Sequence, residues 1–159
     1  MTAAPTIERA TTDEAQTIAL GASVGRLLRP GDVVALRGDL GAGKTRFVRG
    51  VASGLGHSPD HVSSPTYVLM HEYIDPAHSA PPLIHIDAYR LDSAGDLESL
   101  GWDVAVEGSA IVVIEWAERI EEALPAHALH ITIDHIGEQE RRIRIEGPDP
   151  WPQRLRDIS

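Results

Sequence analysis

Val33-Val34-Ala35-Leu36-Arg37-Gly38-Asp39-Leu40-Gly41-Ala42-Gly43-Lys44-Thr45 runs from an apolar stretch through a glycine-rich turn to a Lys-Thr pair, and a helical pattern follows to Leu55. From Gly38 to Thr45 it fits G-x-x-x-x-G-K-[ST], the P-loop signature. Phosphate oxygens that meet backbone N–H groups directly need a loop with few Cβ atoms in the way, hence Gly38, Gly41 and Gly43. The helix starting near Lys44 adds the positive end of its dipole. Gly38, Asp39, Leu40, Gly41, Ala42, Gly43, Lys44 and Thr45 are therefore read together as a nucleotide-phosphate site. Lys44 reaches the β- and γ-phosphates, and the Thr45 hydroxyl holds Mg²⁺.

Outward from the loop, apolar runs alternate with helical patterns, which predicts an α/β fold. Ala110 to Glu115 and Leu83 to Asp87 are nearly continuous apolar strands, suited to a sheet covered on both faces. Thr11 and Glu14 stand at capping-box spacing and open a first helix, with Ala15, Ile18, Ala19, Ala22 and then Gly25 or Arg26 at helical intervals and the stripe resuming at Leu27-Leu28. Phe47, Val48, Val51 and Leu55 share one face of the helix after the loop. Ile7 to Ala10 reads as a short edge strand. The turn from Asp75 to Pro82 joins a hairpin, Asp96 to Leu100 forms a short acidic helix, and Trp116 to Leu124 reads as helical up to Pro125. Ala128 to His135 and Arg141 to Glu146 alternate as an antiparallel hairpin. The tail from about Pro150 forms a last helical turn or frays. The expected architecture is one three-layer domain over residues 1–159, its mostly parallel central sheet extended by antiparallel strands.

Composition bounds the chemistry. Among 159 residues there is no cysteine, which removes disulfides, thiolate metal sites and cysteine nucleophiles, and is compatible with a reducing cytoplasm. The N-terminus has no basic segment leading into an apolar core, so no secretory signal is expected, and no apolar run is long enough to span a membrane. With 24 acidic residues against 14 Lys and Arg, the net charge of −10 suits a phosphate backbone poorly, so any RNA is expected to be held by another subunit.

Hydrolysis needs a second acidic group for the metal and a water aimed at the γ-phosphate. Two apolar strands end in carboxylates, Asp87 and Glu115, where ligands of open α/β sheets sit. The residues alone do not divide the labour. Glu115 follows the cleaner apolar run and is favoured for the metal, leaving Asp87 to orient water or link a switch segment. Either acid serves equally well, on this reading, to cap the turn after its strand. Thr66, in Ser64-Pro65-Thr66, stands where switch-type NTPases keep a γ-phosphate sensor, or belongs to a turn built by Pro65. Trp116 stacks on a nucleotide base or fills the core. The eight histidines show no metal-ligand spacing, and His85 shares a strand face with Asp87.

Gly38-Asp39-Leu40-Gly41-Ala42-Gly43-Lys44-Thr45, Ser64-Pro65-Thr66-Tyr67, His85-Ile86-Asp87-Ala88-Tyr89-Arg90-Leu91 and Ile114-Glu115-Trp116 occur in an order and spacing that resemble the TsaE (YjeE) family. That family is the small bacterial ATPase of tRNA threonylcarbamoyladenosine (t⁶A) synthesis. The resemblance spans most of the chain, from the first helix to the hairpin near Asp134. It implies a P-loop NTPase fold with ATP and Mg²⁺, Thr45 and Glu115 as metal ligands, functional Thr66 and Asp87, and Trp116 near the nucleotide. It also implies a TsaB–TsaD partner complex, in which TsaD modifies adenosine 37 of tRNAs reading ANN codons while the ATPase supports turnover. tRNA then meets this chain only through the complex. The chain departs from the family pattern in the turn from Asp75 to Pro82 and in the tail after Pro150, neither of which touches the motifs. A small-molecule kinase would want an Arg-rich lid and a GTPase an N-K-x-D element, and the sequence carries neither; a nucleotide-gated interaction module remains the alternative of a different class.

Overall fold

In the computed structural model, residues 6–39, 41–62, 70–102 and 108–158 are described. In chain order the elements are β1 (Ile7–Thr11), α1 (Glu14–Leu27), β2 (Val33–Arg37), α2 (Lys44–Leu55), a 3₁₀ turn (Pro59–His61), β3 (Met70–Tyr73), β4 (Leu83–Asp87), α3 (Ala94–Glu98), β5 (Ile111–Glu115), a second 3₁₀ segment (Ala117–Ala123), β6 (Leu129–His135), β7 (Arg141–Glu146) and α4 (Trp151–Arg154). The strands form one seven-stranded sheet in the order β1-β7-β6-β2-β5-β4-β3. The pairs β6–β2, β2–β5 and β5–β4 are parallel, and β1–β7, β7–β6 and β4–β3 extend them antiparallel on both sides. The expected mostly parallel centre with antiparallel extensions is what forms.

The continuous apolar character of β2 has a direct cause. Val34 and Leu36 point to one face, where they meet Phe47, Val48 and Val51 of α2, while Val33 and Ala35 join Leu97 and Ile120 on the other. Helices α1, α2 and α4 thus cover one face, and α3 with the second 3₁₀ segment covers the opposite one, giving three layers. No helix among the described residues is long and apolar enough to cross a membrane.

Helix α1 corrects two expectations. Its N-cap is Asp13, whose side chain accepts from the Gln16 amide, whereas Thr11 ends β1 and bonds the Thr17 hydroxyl at 2.8 Å. Its buried face is Thr17, Leu20, Gly21, Ser23, Val24 and Gly25; of the expected stripe Gly25 and Leu28 are buried, while Ala15 and Ala19 are exposed and Ile18 and Ala22 half-buried. The reason is the neighbour. A Cβ on Gly21 or Gly25 would lie 2.4 Å from the backbone oxygen of Phe47 or Val51, and one on Gly50 or Gly54 would lie 2.1 or 2.2 Å from that of Ile18 or Ala22. The two helices touch backbone to backbone, so the buried face needs small residues rather than apolar ones, which a hydrophobic-period reading misses. Glycine weakens each helix by about 1 kcal/mol per residue relative to Ala, a cost the close approach offsets.

The segment after β5 also differs from expectation. Residues 117–123 make 3₁₀ turns broken at Ile120 (φ −133°, ψ 33°), so that Ala117 and Ile120 can both reach the core in a short span. At the other end, α4 forms the helical turn, with Trp151 and Leu155 each 1% exposed and packed under the α1 side of the sheet.

Candidate functional site

The Gly38–Thr45 loop leaves the C-terminal end of β2 and turns into α2. Gly38 passes so near the hairpin that a Cβ would stand 2.6 Å from the Ile133 backbone oxygen. Gly43 is the N-cap of α2 in the left-handed region (φ 101°), where a Cβ would be strained. Lacking a side chain, it leaves the first-turn N–H groups of α2 uncapped at the positive end of the helix, a ready place for an anion. Leu40 and Thr66 lie outside the described residues, as do the rest of positions 63–69. Asp39 is exposed and its backbone oxygen accepts from the Ala42 amide at 3.0 Å.

Lys44 is only 5% exposed. Its ammonium donates to the backbone oxygens of Gly38 and Asp39, the latter at 2.9 Å, and stands 3.9 Å from the centre of the Trp116 ring. Burial holds its pKa below the usual lysine value, opposed by the charges of Glu115, Glu118, Asp87 and Asp39. Trp116 takes a left-handed backbone (φ 58°), which turns the chain sharply after β5 and carries the indole to Lys44. Tyr89 also packs against it, tilted, at 4.9 Å between ring centres, and the Arg119 guanidinium lies 5.3 Å from the Tyr89 ring.

Parallel pairing of β4 and β5 brings the two strand-end acids together, with Asp87 directly opposite Glu115. Glu115 is 3% exposed, and the Thr45 hydroxyl donates to its Oε1 at 3.2 Å, with Oε2 at 3.4 Å. Its Oε2 is also bonded to Nε2 of the fully buried His85. Asp87 does what a strand-end acid commonly does: Oδ1 accepts from the Tyr89 amide at 2.9 Å. It also faces the site, where burial first, opposed by the Tyr89 amide and aided by the charge of Glu115, raises its pKa from the usual aspartate value. Thr45 and Glu115 offer hard oxygen donors of the kind Mg²⁺ prefers.

Arg141 is the residue that sequence reasoning missed. Its guanidinium is buried against five backbone oxygens: those of Ala42 (2.7 Å) and Gly41 in the loop, and of Gly137, Glu138 and Glu140 in the β6–β7 turn. Burial, with Arg46 nearby, lowers its pKa. The signal was present in strand parity, since Arg141 shares the inward face with Ile143 and Ile145. Beside it opens a cavity of about 430 Å³ lined by Asp13, Glu14, Thr17, Gly43, Arg46 and Arg141 among others, so the start of α1 joins the loop at this site. Trp116 stands on the Lys44 side and is not part of that lining.

A family model described as "Threonylcarbamoyl adenosine biosynthesis protein TsaE" matches residues 11–143. The tRNA threonylcarbamoyladenosine biosynthesis protein TsaE of Bacillus subtilis is 41% identical over 133 residues, covering 84% of this chain and 80% of that protein. The TsaE of Treponema pallidum is 41% identical over 125 residues, covering 79% of this chain and 89% of that one. Among solved structures, the crystal structure of Bacillus subtilis YdiB superposes with a TM-score of 0.80 at 31% identity, over 99% of this chain and 97% of that one. The seven-stranded sheet is thus the P-loop NTPase-like fold of that structure. On the breadth of the sequence match and of the superposition, the chain belongs to the TsaE family, which takes part in the synthesis of threonylcarbamoyladenosine in tRNA.

Proposed function

We propose that this chain binds ATP with Mg²⁺ at the Gly38–Thr45 loop and hydrolyses it, supporting turnover of a TsaB–TsaD complex that threonylcarbamoylates adenosine 37 in tRNAs reading ANN codons. The observation that carries the reading is the convergence of the Thr45 hydroxyl and the Glu115 carboxylate, 3.2 Å apart, at the mouth of a glycine loop that opens a helix. Mg²⁺, when bound there, neutralises charge on the phosphates. The loop amides and the first turn of α2 cradle the phosphate oxygens. Lys44 exchanges the backbone oxygens of Gly38 and Asp39 for phosphate oxygens, while Trp116 shields its ammonium from water. Asp87 orients the attacking water, and Thr66 senses the γ-phosphate. The cavity between the start of α1 and Arg141 is the natural place for the base.

The acidic balance of −10 supports a role in which tRNA is held by the partner proteins, in the cytoplasm where tRNA is modified. The test is ATP turnover with and without TsaB–TsaD, with Lys44→Ala as the control. Slow turnover alone and stimulation by the partners is the expected result. A kinase-like rate without partners, or a preference for GTP in competition, would overturn it. Retained support of tRNA modification by Glu115→Gln would favour a nucleotide-gated interaction module over hydrolysis.

A further inference from the structure

The centre of β4 holds a residue that packing does not ask for. Leu83, Ile84 and Ile86 are ordinary core side chains, yet His85 is buried to 0% exposure among them. Its Nε2 is bonded to Oε2 of Glu115, and its Nδ1, equally buried, has no hydrogen-bond partner among the described residues. A buried nitrogen without a partner costs about 1–3 kcal/mol. A Leu or Val would fill the same space without an unpartnered nitrogen but would strip a donor from the buried Glu115 carboxylate, so what the imidazole adds at this position is its bond to Glu115.

What the ring does accomplish is directional. Against a carboxylate Nε2 must donate, which leaves Nδ1 as the nitrogen without a partner among the described residues. The donated bond occupies Oε2 of Glu115 and fixes the rotation of the carboxylate. The Thr45 hydroxyl lies 3.2 Å from Oε1 and 3.4 Å from Oε2, and Oε1 is the oxygen that makes no bond to His85. Register explains why this pair meets. His85 lies opposite Val113 and Asp87 opposite Glu115, so His85 and Glu115 are diagonal neighbours on the sheet face that carries α2.

We infer that His85 is a positioning residue: through Nε2 it orients Glu115 so that one defined oxygen meets the cation shared with Thr45. The inference rests on the Mg²⁺-nucleotide reading above and deepens it. Hydrogen-bond partners of metal-ligating groups typically govern metal affinity about 10–100-fold.

The experiment compares His85→Gln, which keeps an N–H donor near the position of Nε2, with His85→Leu, which keeps bulk and loses the donor. Binding of AMP-PNP is followed by calorimetry in EDTA and along a Mg²⁺ titration, after thermal melting has checked that each variant folds. The expected result for His85→Leu is an apparent Mg²⁺ affinity about 10–100-fold weaker, with AMP-PNP affinity in EDTA unchanged. His85→Gln should stay within about threefold of the parent protein, on the same scale. In a Glu115→Gln background, His85→Leu should change nothing further, because its route runs through that carboxylate. A His85→Leu protein with unchanged Mg²⁺ affinity overturns the inference, and so does an equal loss in His85→Gln or a matching loss in EDTA. If the parent protein's own AMP-PNP binding ignores Mg²⁺, the functional reading itself fails, an outcome distinct from any of these.

Discussion

The half of the site formed by the loop main chain and the α1–α2 contact is made of backbone, and the half gathered at the ends of β4 and β5, with Lys44 and Thr45 at the start of α2, is made of side chains. In the first, Gly38 and Gly43 let the main chain turn tightly, Arg141 holds the loop by its carbonyls, and α2 lies directly against α1 through Gly21, Gly25, Gly50 and Gly54. In the second, rigid strands set Asp87 beside Glu115, and His85 and Thr45 hold the Glu115 carboxylate between them. The difference teaches where each half is vulnerable. Substitutions at the close contacts of the backbone half (Gly21, Gly25, Gly38, Gly50 and Gly54) should act on folding, because a Cβ there meets a backbone oxygen within 2.6 Å. Substitutions in the side-chain half should act on chemistry and leave the fold standing.

The largest expected effect tests the side-chain half. Glu115→Gln should lower partner-stimulated ATP turnover by about 10²–10³, the usual loss of one charge-stabilising group, with a cooperative melt retained. If the variant failed to fold, the comparison would break. Next comes the backbone half. Gly50→Ala places a Cβ about 2.1 Å from the Ile18 backbone oxygen, and overpacking of that kind costs about 1–3 kcal/mol. Chemical denaturation should show that loss, and an unchanged midpoint would sink the claim of direct backbone contact.

Arg141→Leu sharpens the boundary between the halves, since it is a side chain in service of backbone. Removing a charged donor from several buried carbonyls should cost about 1–3 kcal/mol and weaken nucleotide binding as well, read by denaturation and calorimetry on one sample. A loss of stability without any loss of binding would assign Arg141 to the fold alone.

The smallest effect concerns Asp75, far from either half in character. Its exposed carboxylate accepts from the Ser79 hydroxyl and from the amides of Ala77, Ser79 and Ala80, chiefly the hydroxyl, which lowers its pKa from 3.8 to about 2. A depressed carboxylate contributes stability above the unfolded value, and loses it as pH falls from 3.8 through about 2. Carboxyl NMR titration of the intact protein should find the midpoint low, and an ordinary midpoint would mean that the turn from Asp75 to Pro82 is held by other means.

The same division explains what could be read in advance. The loop was legible because its glycine spacing is local, and β2, β5 and the β6–β7 hairpin because apolar runs and strict alternation are local too. The site's acidic half was legible only as two strand ends. That Asp87 and Glu115 face one another, and that His85 reaches Glu115, depends on β4 pairing with β5 in one register, and no short window of sequence contains both strands. On α1 the apolar period points to Ala15 and Ala19, which are exposed, because small residues, not apolar ones, line a backbone contact. The glycines were visible four apart in each helix, but their meaning needed the partner helix. Arg141 was hidden by its charge, which reads as surface until strand parity puts it inside.

The contact between α1 and α2 bears on how the site can adjust. Where two main chains interlock at glycines spaced one turn apart, there is no layer of side chains to shear. Sliding one helix past the other would have to proceed in whole turns, about 5.4 Å each, so small displacements are denied to the pair. The two helices are therefore held as one unit, and their first turns, with Asp13 and Glu14 beside Gly43 and Arg46, line the same cavity. A displacement of either first turn would reshape the wall that the other shares.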